Sequence, residues 1–582
     1  MDDNELKDLM EQHPDGEDTA AESSKKKTEK KPVKAKRAKT QSGGFAEKLK
    51  KITSSKLFKR IVVVTIICSL IAATVSMIIL FSGKDDEFTS DNKLILRVAN
   101  LAMTNLNDSQ TAYLENKFQV KFRPITIPWN DWDSYVHKSI NGNDMPDIMQ
   151  WDLRSYYKSN LNKWVEGGML RPLPDDMSQY ENLSRLVSGY TALEQIKVKG
   201  KLYCFPVARS AENNQLDLIT AGYIYRRDWA KDLGVYQEND EYTVEQFEAL
   251  LSAFRNYTRD TKMNVLADVE WAFPSITFAY KESTTPYIYD AEQNKYVWNF
   301  TTPSYDAGIK KAKSWTDAGY YYPDQYLSND TDVLNQYKAS RMGVLYENIT
   351  IKNYSDIRKS MQTSELSGDA LNDATAILKL KRADGVAGAG KFFAEQNDNW
   401  WSASLISSRV SDFKMNKILE IMDYLASEEG TKFCAYGIKG QDWTEDENGE
   451  LILKWAKDEK GEYIEKDMGT KGIRYMVCIG EDLYGFDPLI SEESKAIAQA
   501  YIDFLYEKRE QGELYVIPLD QEMAWLSAKN KDKYGYFLEP LATAVDNYMF
   551  GAGLSKWNEF NNQNKSAYEA VLEEINQAIK KA

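Results

Sequence analysis

LILRVANLA (94–102) predicts the first β-strand of a long folded region, because its apolar residues follow one another as they do in a buried strand. VKFRPITIP (120–128) and PDIMQWD (146–152) predict two more strands. Between these three, the segments 107–119 and 133–140 predict helices. Strands that alternate with helices are typical of a sheet with helices on both faces. The sequence therefore predicts an α/β fold.

The folded region is long enough for two lobes. About 500 of the 582 residues follow position 82, which exceeds one ordinary domain. Clefts between lobes are where proteins usually bind small ligands. The length therefore predicts an interlobe cleft as the first place to look for a binding site.

An apolar segment, IVVVTIICSLIAATVSMIILFS (61–82), precedes the folded region. Its 22 uncharged residues would span roughly 33 Å as a helix, enough to cross a hydrocarbon core of about 30 Å. Residues 25–60 hold 15 Lys or Arg and two acids, whereas GKDDEF (83–88) holds one Lys and three acids. Because positive charge stays cytoplasmic, we expect a transmembrane signal anchor with the N-terminus inside and the body outside.

Two other interpretations of this apolar segment are weaker. A cleavable signal peptide has a shorter apolar core of about 7 to 15 residues, and here 60 residues come first. Lipidation of Cys68 would need a small residue just before it, and the sequence there is TII (65–67). We therefore expect a single-pass protein in which residues 83–92 link the membrane to the body.

Residues 1–60 have the composition of a disordered cytoplasmic tail. The basic run KKKTEKKPVKAKRAKT (25–40) could attract anionic lipids of the inner leaflet, or it could serve as a topology signal only. We favour the topology signal.

The charge balance argues against nucleic acid as a partner. The chain has a net charge of −15 and its first 60 residues carry about +5, so the remainder carries about −20. Aromatic residues make up 12% of the chain, with 14 Trp. That number of tryptophans suits a protein that handles sugars, whose apolar ring faces stack on aromatic planes.

Cysteine and histidine usage argues against a metal centre or a cofactor. Three cysteines follow the apolar segment, namely Cys204, Cys434 and Cys478, so one disulfide could form, but the sequence does not show which pair would form it. The chain has two histidines, His13 and His137, which argues against a zinc site or a histidine-based catalytic triad. DENGE (446–450) matches only the start of a calcium loop and fits a hairpin turn better.

Seven segments in order resemble the family-1 extracellular solute-binding proteins of ABC importers. GKLY (200–203) followed by Pro206 is similar to the family signature G-K-x-Y-x-x-P. The segment 406–443 is the most specific, because it joins Ile-Ser, a long amphipathic helix, Ser-Glu-Glu-Gly and Tyr-Gly-Ile-x-Gly. The other matches are AGYIYRRDWAKDLG (221–234), YTVEQFEALLSAF (242–254), PSYDAGIKKAKSWTDAGYYYPD (303–324), ASRMGVLYEN (339–348) and DNYMFGAGLSKWNEF (546–560).

The resemblance covers residues 93–582 and points to the oligosaccharide-binding, lipoprotein-like branch of the family. Two features depart from that branch. A signal anchor stands where the branch has a lipid anchor, and Cys204 stands where the family often has Gly.

The resemblance implies a two-lobed, periplasmic-binding-protein-like (type II) fold with the ligand in the interlobe cleft. The chain would cross between lobes near 207–212 and 397–401. Lobe one would then comprise residues 93–208 and 399–485. Lobe two would comprise residues 209–398 and 486–582, including the closing helices.

The resemblance also implies a function. We expect a solute-binding protein, not an enzyme, that captures an oligosaccharide by hinge closure and delivers it to the permease subunits of an ABC importer. It would sit at the cell membrane, with its body outside, as at a Gram-positive-type cell surface. The alternative is a ligand-sensing or scaffolding membrane protein that signals through its cytoplasmic tail.

A sugar site needs aromatic faces for stacking and polar side chains for the hydroxyl groups. Residues that meet this need at predicted strand ends, at crossovers or, for Trp271, after an acidic loop are Trp151, Asp152, Arg209, Trp271, Glu347, Asn348, Trp400 and Trp401. Adjacent strand residues face opposite ways, so at most one of the last two faces the cleft. Two further tryptophans, Trp129 and Trp132, could line the rim or pack. Three others, Trp229, Trp298 and Trp315, are predicted to lie in the core.

Overall fold

The computed structural model describes the body of the protein. The chain divides into two compact units, Met1–Asp85 and Asp86–Ala582, and the described residues all belong to the second unit. They are residues 87–103, 106–153, 158–188, 193–209, 218–257, 264–268, 274–285, 287–321, 330–363, 365–397, 400–449, 451–459, 461, 463–464, 466, 468–480, 483–519, 549 and 555–579. The predicted tail, the predicted transmembrane segment and Trp271 lie outside them. Within these ranges, no helix is long and apolar enough to cross a membrane.

Seventeen strands are described. In chain order they are β1 (Leu94–Asn100), β2 (Val120–Thr126), β3 (Ile148–Trp151), β4 (Cys204–Ala208), β5 (Leu218–Ile219), β6 (Ala221–Tyr225), β7 (Glu241–Tyr242), β8 (Asn264–Asp268), β9 (Tyr287–Asp290), β10 (Lys295–Trp298), β11 (Met342–Asn348), β12 (Ala376–Leu380), β13 (Phe392–Gln396), β14 (Trp400–Ile406), β15 (Trp443–Glu445), β16 (Leu451–Leu453) and β17 (Leu514–Ile517).

The described α-helices are interleaved with these strands. They are α1 (Ser109–Phe118), α2 (Trp132–Asn141), α3 (Lys158–Glu166), α4 (Glu181–Ser188), α5 (Leu193–Ile196), α6 (Arg227–Asp232), α7 (Val244–Tyr257), α8 (Pro303–Asp317), α9 (Asp330–Lys338), α10 (Ile351–Met361), α11 (Asp369–Ala374), α12 (Asp412–Leu425), α13 (Glu428–Tyr436), α14 (Thr470–Arg474), α15 (Leu483–Phe486), α16 (Glu492–Glu510) and α17 (Ser555–Ile579).

The first sheet has the strand order β2-β1-β3-β14-β4. Strands β1, β2 and β3 run parallel, while β14 runs antiparallel to both β3 and β4. Helices α1 and α2 connect the parallel strands, as a crossover between parallel strands requires. The α/β prediction from residues 94–152 is therefore confirmed.

A second sheet has the order β7-β12-β6-β11-β8, and a third has the order β17-β13-β5. The chain passes from the first sheet to the third between β4 and β5, and it returns between β13 and β14. Each large sheet has its own buried core. This arrangement agrees with the expected two-lobed form, and the exact lobe boundaries at 208, 398 and 485 stay a prediction.

Helix α12 shows how the sequence sets the helical layer of the first sheet. Ser411 caps it, because its side chain accepts a hydrogen bond from the backbone N–H of Lys414. One face is buried through Met415, Ile418, Leu419 and Met422, at the spacing that a helix face requires. The helix packs against α4 and α13.

Three details of the body correct or complete the sequence predictions. The N–H of Ile95 donates to the backbone carbonyl of Glu87, which ties the start of the described chain to β1, and the linker at 83–92 stays a prediction. The three cysteines of the body are buried free thiols, so none of them forms a disulfide. Strands β15 and β16 pair antiparallel, which confirms the hairpin predicted around 446–450.

Candidate functional site

The candidate site lies at the C-terminal edge of the first sheet, where β1, β2 and β3 end. The antiparallel pairing of β14 with β3 and β4 brings the start of β14 and the end of β4 to the same edge, since Ala403 pairs with Trp151 and Trp400 with Ala208. In open α/β sheets, ligands bind outside the carboxyl ends of the strands. Both chain crossovers toward the third sheet also begin or end here.

Three tryptophans, Trp129, Trp132 and Trp401, form an aromatic platform at this edge. The ring centroids of Trp132 and Trp401 lie 5.3 Å apart with planes 23° from parallel, and those of Trp129 and Trp401 lie 6.0 Å apart at 25°. Trp129 is 65% exposed although it is a large apolar side chain. An exposed, rigid aromatic surface of this kind suits stacking against a flat apolar face.

The platform is built by local features of the sequence after β2. Pro128 precedes a short 3-10 turn, Trp129–Asp131, and Trp132 is the first residue of α2. The indole N–H of Trp132 donates to the backbone carbonyl of Gln150 at 2.8 Å, which fixes α2 against β3. Trp132 is therefore nearly buried and supports the platform, while Trp129 presents the exposed surface.

Trp401 is the predicted site residue that the structure brings into the platform. It is half-buried, and its ring packs against the other two tryptophans. Its neighbour Trp400 opens β14 opposite Ala208. Contact between Trp401 and a ligand stays a prediction.

The structure buries Trp151, which the sequence placed in the cleft, and its predicted ligand contact stays a prediction. It is fully buried beneath α2 and α3, with its ring centroid 4.8 Å from Trp164. Its indole N–H donates to Asp133 at 3.3 Å. In this conformation Trp151 offers a ligand no surface, and its part is to pack behind the platform. Asp152 follows it and is half-buried.

Arg209 lies at the crossover that leaves β4. Its backbone carbonyl accepts a hydrogen bond from the thiol of Cys478 at 3.5 Å, and the preceding Ala208 is held on both sides by the backbone of Val477 and Ile479. The side chain of Arg209 is half-buried. The crossover thus starts from a firmly bonded point at the same edge as the platform.

Glu347 and Asn348 end β11 on the second sheet, and their contacts are those of a helix entry. Glu347 is 7% exposed, and its carboxylate accepts from the N–H of Asn348 at 2.7 Å and the amide of Asn353 at 3.3 Å. The side chain of Asn348 accepts from the Thr220 hydroxyl at 3.4 Å. These bonds join β11, the start of α10 and the segment between β5 and β6.

Sequence reasoning missed a polar cluster at the C-terminal edge of the second sheet, where β8, β11 and β12 end. Asp268 ends β8, and its carboxylate accepts from the N–H of Ser275 at 2.9 Å. The Ser275 hydroxyl lies 3.1 Å from that of Tyr223 and 3.4 Å from that of Tyr321. Burial raises the pKa of Asp268 to about 7. The sequence signal is the acid that directly follows the apolar residues 265–267.

The remaining predictions concern the core and metal binding. Trp229, Trp298 and Trp315 are buried, as predicted. Burial also raises the pKa of the Cys204 thiol to about 12, which keeps it protonated and inert at neutral pH. Among the described residues, no group of three or more His, Cys, Asp or Glu side chains could hold a metal ion.

Solved structures share this fold at low sequence identity. An extracellular solute-binding protein from Bifidobacterium longum subsp. infantis has a TM-score of 0.58 and 14% identity over 83% of this chain and 97% of its own. An alginate-binding protein has a TM-score of 0.57 and 14% identity over 85% of this chain and 99% of its own. An N-glycan transport solute-binding protein from Streptococcus pneumoniae has a TM-score of 0.54 and 15% identity over 83% of this chain and 97% of its own.

No family model matches the chain, and no curated protein matches its sequence significantly. At identities of 14–15% the structural likeness establishes the fold alone. The match extends over nearly the whole length of each of these proteins, so it concerns the complete architecture and not one lobe. The described residues between 87 and 579 share the fold of these solute-binding proteins.

Proposed function

We propose that this chain is a carbohydrate-binding protein that captures an oligosaccharide at the aromatic platform. It acts as a binding protein and not as an enzyme. The observation that carries the proposal is the exposed surface of Trp129, held by Trp132 and Trp401 at the C-terminal edge of the first sheet. Sugar rings have apolar faces, and a rigid indole gains most by covering such a face.

The proposed capture uses the two crossovers between the first and third sheets. Strand β13 pairs with β5 through Glu395 and Gln396, so the end of β13 lies beside the start of β5. The segment that enters the third sheet and the segment that leaves it therefore meet it side by side. Side-by-side connections of this kind permit hinge closure. A ligand that contacts both lobes binds the closed form better and shifts the population toward it.

Membrane anchoring and delivery are the finer part of the proposal. Residues 61–82 would anchor the protein with the body outside, and the closed form would deliver the sugar to the permease subunits of an ABC importer. The names of two similar structures support a carbohydrate ligand, since one is an alginate-binding protein and the other an N-glycan transport solute-binding protein. The acidic body favours neutral sugars over polyuronates.

Isothermal titration calorimetry of the full chain in detergent, against a panel of neutral oligosaccharides, tests the proposal. We expect saturable binding with the sugar recovered unchanged. Trp129→Ala should weaken binding at least about tenfold, the loss expected when an anchoring aromatic is truncated. The matched control is Phe413→Ala, which removes an aromatic ring 55% exposed near the start of α12, beyond the other end of β14. It should bind like the wild type.

Each outcome has a defined meaning. No binding of any glycan by the wild type would contradict carbohydrate capture, and conversion of the sugar would replace it with an enzymatic function. Normal affinity in Trp129→Ala would move the site away from the platform. Uptake assays in cells that lack the protein would then separate delivery from sensing, because only an importer component changes the rate of sugar entry.

A further inference from the structure

A second aromatic cavity lies among the helices around the first sheet. It has a volume of about 470 Å³, within the range of roughly 300–1,000 Å³ that is usual for ligand sites. Helices α1, α12 and α13 and the turn 437–443 surround it, and its aromatic lining consists of Tyr113, Tyr424, Phe433 and Trp443. The platform tryptophans do not line this second cavity, so it is a separate place on the body.

The rings of the second cavity offer one accessible face above a buried floor. Phe433 and Trp443 are each 4% exposed and belong to the core of the first sheet, whereas Tyr113 on α1 is 38% exposed. The ring centroid of Tyr113 lies 5.4 Å from that of Phe433, and the centroid of Tyr424 lies 6.1 Å from it. An exposed ring held against a buried one is also what Trp129 presents, and it suits stacking against a flat apolar face.

The turn between α13 and β15 fixes one wall of the cavity. Trp443 donates its indole N–H to the backbone carbonyl of Gly437 at 3.0 Å. The buried carboxylate of Asp442 accepts from the backbone N–H of Ile438 at 2.7 Å. Gly437 has a φ of +93°, a backbone conformation that favours glycine. These features hold the wall in place without a ligand, so binding has little ordering cost there.

The polar rim of the cavity carries balanced charge. Each of its glutamates forms an ion pair with a lysine, and the pairs are Glu428–Lys432 at 2.8 Å, Glu429–Lys117 at 3.5 Å and Glu445–Lys439 at 2.7 Å. A charged ligand would therefore meet no excess of the opposite charge. A carboxylate has more acceptor sites, and an ammonium more donors, than one ion pair uses. The rim thus suits a neutral ligand that both donates and accepts hydrogen bonds, as sugar hydroxyls do.

We propose that the second cavity is an additional carbohydrate site, which binds a neutral saccharide independently of the platform. The elements around it, α1, α12, α13 and β15, all pack on the core of the first sheet, so a ligand there needs no contact with the other sheets. Binding at this site therefore needs no hinge closure and does not shift the population toward the closed form. The choice of a saccharide as the neutral ligand rests on the proposed function.

The second cavity should bind more weakly than the platform, because no second lobe closes over its ligand. Tyr113 supplies the accessible ring, so Tyr113→Ala should weaken binding there about two- to tenfold, the effect of one aromatic contact. Tyr113→Phe keeps the ring and should retain most of the affinity. The matched control is Tyr257→Ala, which removes a tyrosine ring 45% exposed on α7 and should bind like the wild type at both sites.

Hydrogen–deuterium exchange of the full chain, followed by mass spectrometry, separates the two sites by position. The protein is measured in a detergent without a sugar head group, at increasing concentrations of neutral malto-, cello-, manno- and N-acetylchito-oligosaccharides. We expect at least one of these probes to slow exchange in residues 428–445, and this protection should persist in Trp129→Ala. The sugar concentration that gives half of the protection measures the affinity of the second cavity in each variant.

Several results would overturn the proposal. One is the absence of protection at 428–445 with every probe, and another is equal affinity there in Tyr113→Ala and the wild type. Loss of this protection in Trp129→Ala would make it a consequence of binding at the platform. Protection that grows with protein concentration in the absence of sugar would assign the cavity to a second copy of the chain. Stronger protection by uronate or glucosamine oligomers than by the neutral probes would contradict a neutral ligand.

Failure of this proposal is distinguishable from failure of the proposed function. Protection at 428–445 without any at 128–132 and 400–403 would overturn capture at the platform and support the second cavity. Protection at 128–132 and 400–403 alone would support capture at the platform and overturn the second cavity.

Discussion

The C-terminal edges of the two large sheets carry opposite kinds of chemistry. At the first sheet, Trp129 leaves 65% of its surface in water, stacks on Trp401 and packs against Trp132 with the two planes 43° apart. At the second sheet, Asp268 is 7% exposed, and its carboxylate accepts a hydrogen bond from the backbone N–H of Ser275. The Ser275 hydroxyl in turn contacts those of Tyr223 and Tyr321. One edge exposes apolar rings, and the other buries polar groups.

The difference between the two edges shows that a side chain at a strand end is not a ligand contact by its position alone. Water contact with an indole is unfavourable, and a ligand that covers it gains that free energy. The carboxylate of Asp268 already has a donor in Ser275, so a ligand would have to replace an existing bond. We therefore expect substitutions of exposed rings at the first edge to change binding, and substitutions of buried groups at either edge to change stability.

The largest expected effect separates two tryptophans of the first edge. Trp151→Ala should lower the free energy of unfolding by about 3–5 kcal/mol, because it removes a fully buried ring and leaves a cavity beneath α2. Trp129→Ala should change it by less than about 1 kcal/mol, because most of that ring is already in water. Urea unfolding curves followed by circular dichroism measure both.

Trp298→Ala serves as the control for this prediction, since it removes an equally buried indole from the second core. It should destabilise like Trp151→Ala and leave the indole hydrogen bonds between α2 and β3 intact. Equal stability of Trp151→Ala and Trp129→Ala would contradict the assignment of Trp151 to the core.

The sequence predicted the architecture well because the relevant signals are local. Apolar runs and helix periods between 94 and 152 indicate the order of strands and helices, and three ends of parallel strands must meet at one edge. Because adjacent strand residues face opposite ways, the sequence predicted that at most one of Trp400 and Trp401 faces the cleft, but it did not show which. The sequence left open whether Trp129 and Trp132 line the rim of the cleft or pack in the core, because side chains at a helix start that follows a strand can do either.

What the sequence could not resolve depends on packing between distant elements. Trp151 ends a strand whose four residues are all buried, because α2 and α3 cover it, and strand position alone gives no sign of that cover. A polar run at a strand end can also serve a helix entry, as Glu347 and Asn348 do before Thr350 caps α10, and their predicted ligand contact stays a prediction. Trp271 lies outside the described residues, and its predicted contact stays a prediction.

The second prediction concerns the pH dependence of stability at the second edge. Burial raises the pKa of Asp268 from 3.8 to about 7, so the folded state holds this proton to higher pH than the unfolded state does. Folded chains then bind more protons between about pH 4 and pH 7, and stability falls as the pH rises through that window. A pKa difference of about three units between the folded and unfolded states corresponds to at most about 4 kcal/mol of the free energy of unfolding.

Asp268→Asn removes this titration while keeping an oxygen that can accept from the Ser275 N–H. At pH 8 the variant should be more stable than the wild type by about 2–4 kcal/mol, and near pH 4 the two should agree. Urea midpoints across the pH range measure the difference. Asp503→Asn, on the exposed surface of α16, is the control and should follow the wild type at every pH. A constant offset between Asp268→Asn and the wild type would show that this carboxyl does not titrate in the window.

The smallest effect tests whether the platform acts as one surface. The Trp129 and Trp401 rings stack at 6.0 Å, and Trp401 also stacks on Trp132 at 5.3 Å, so removing Trp401 should let the exposed Trp129 ring turn away from its binding orientation. Contacting aromatic residues couple by about 0.5–1.5 kcal/mol. In a double-mutant cycle, Trp129→Ala and Trp401→Ala should therefore together cost less binding free energy than the sum of their separate costs, by about that amount. Calorimetry with the best oligosaccharide of the panel gives all four affinities. Additive losses would mean that the two indoles contact different parts of the sugar independently, and the platform would then be two subsites.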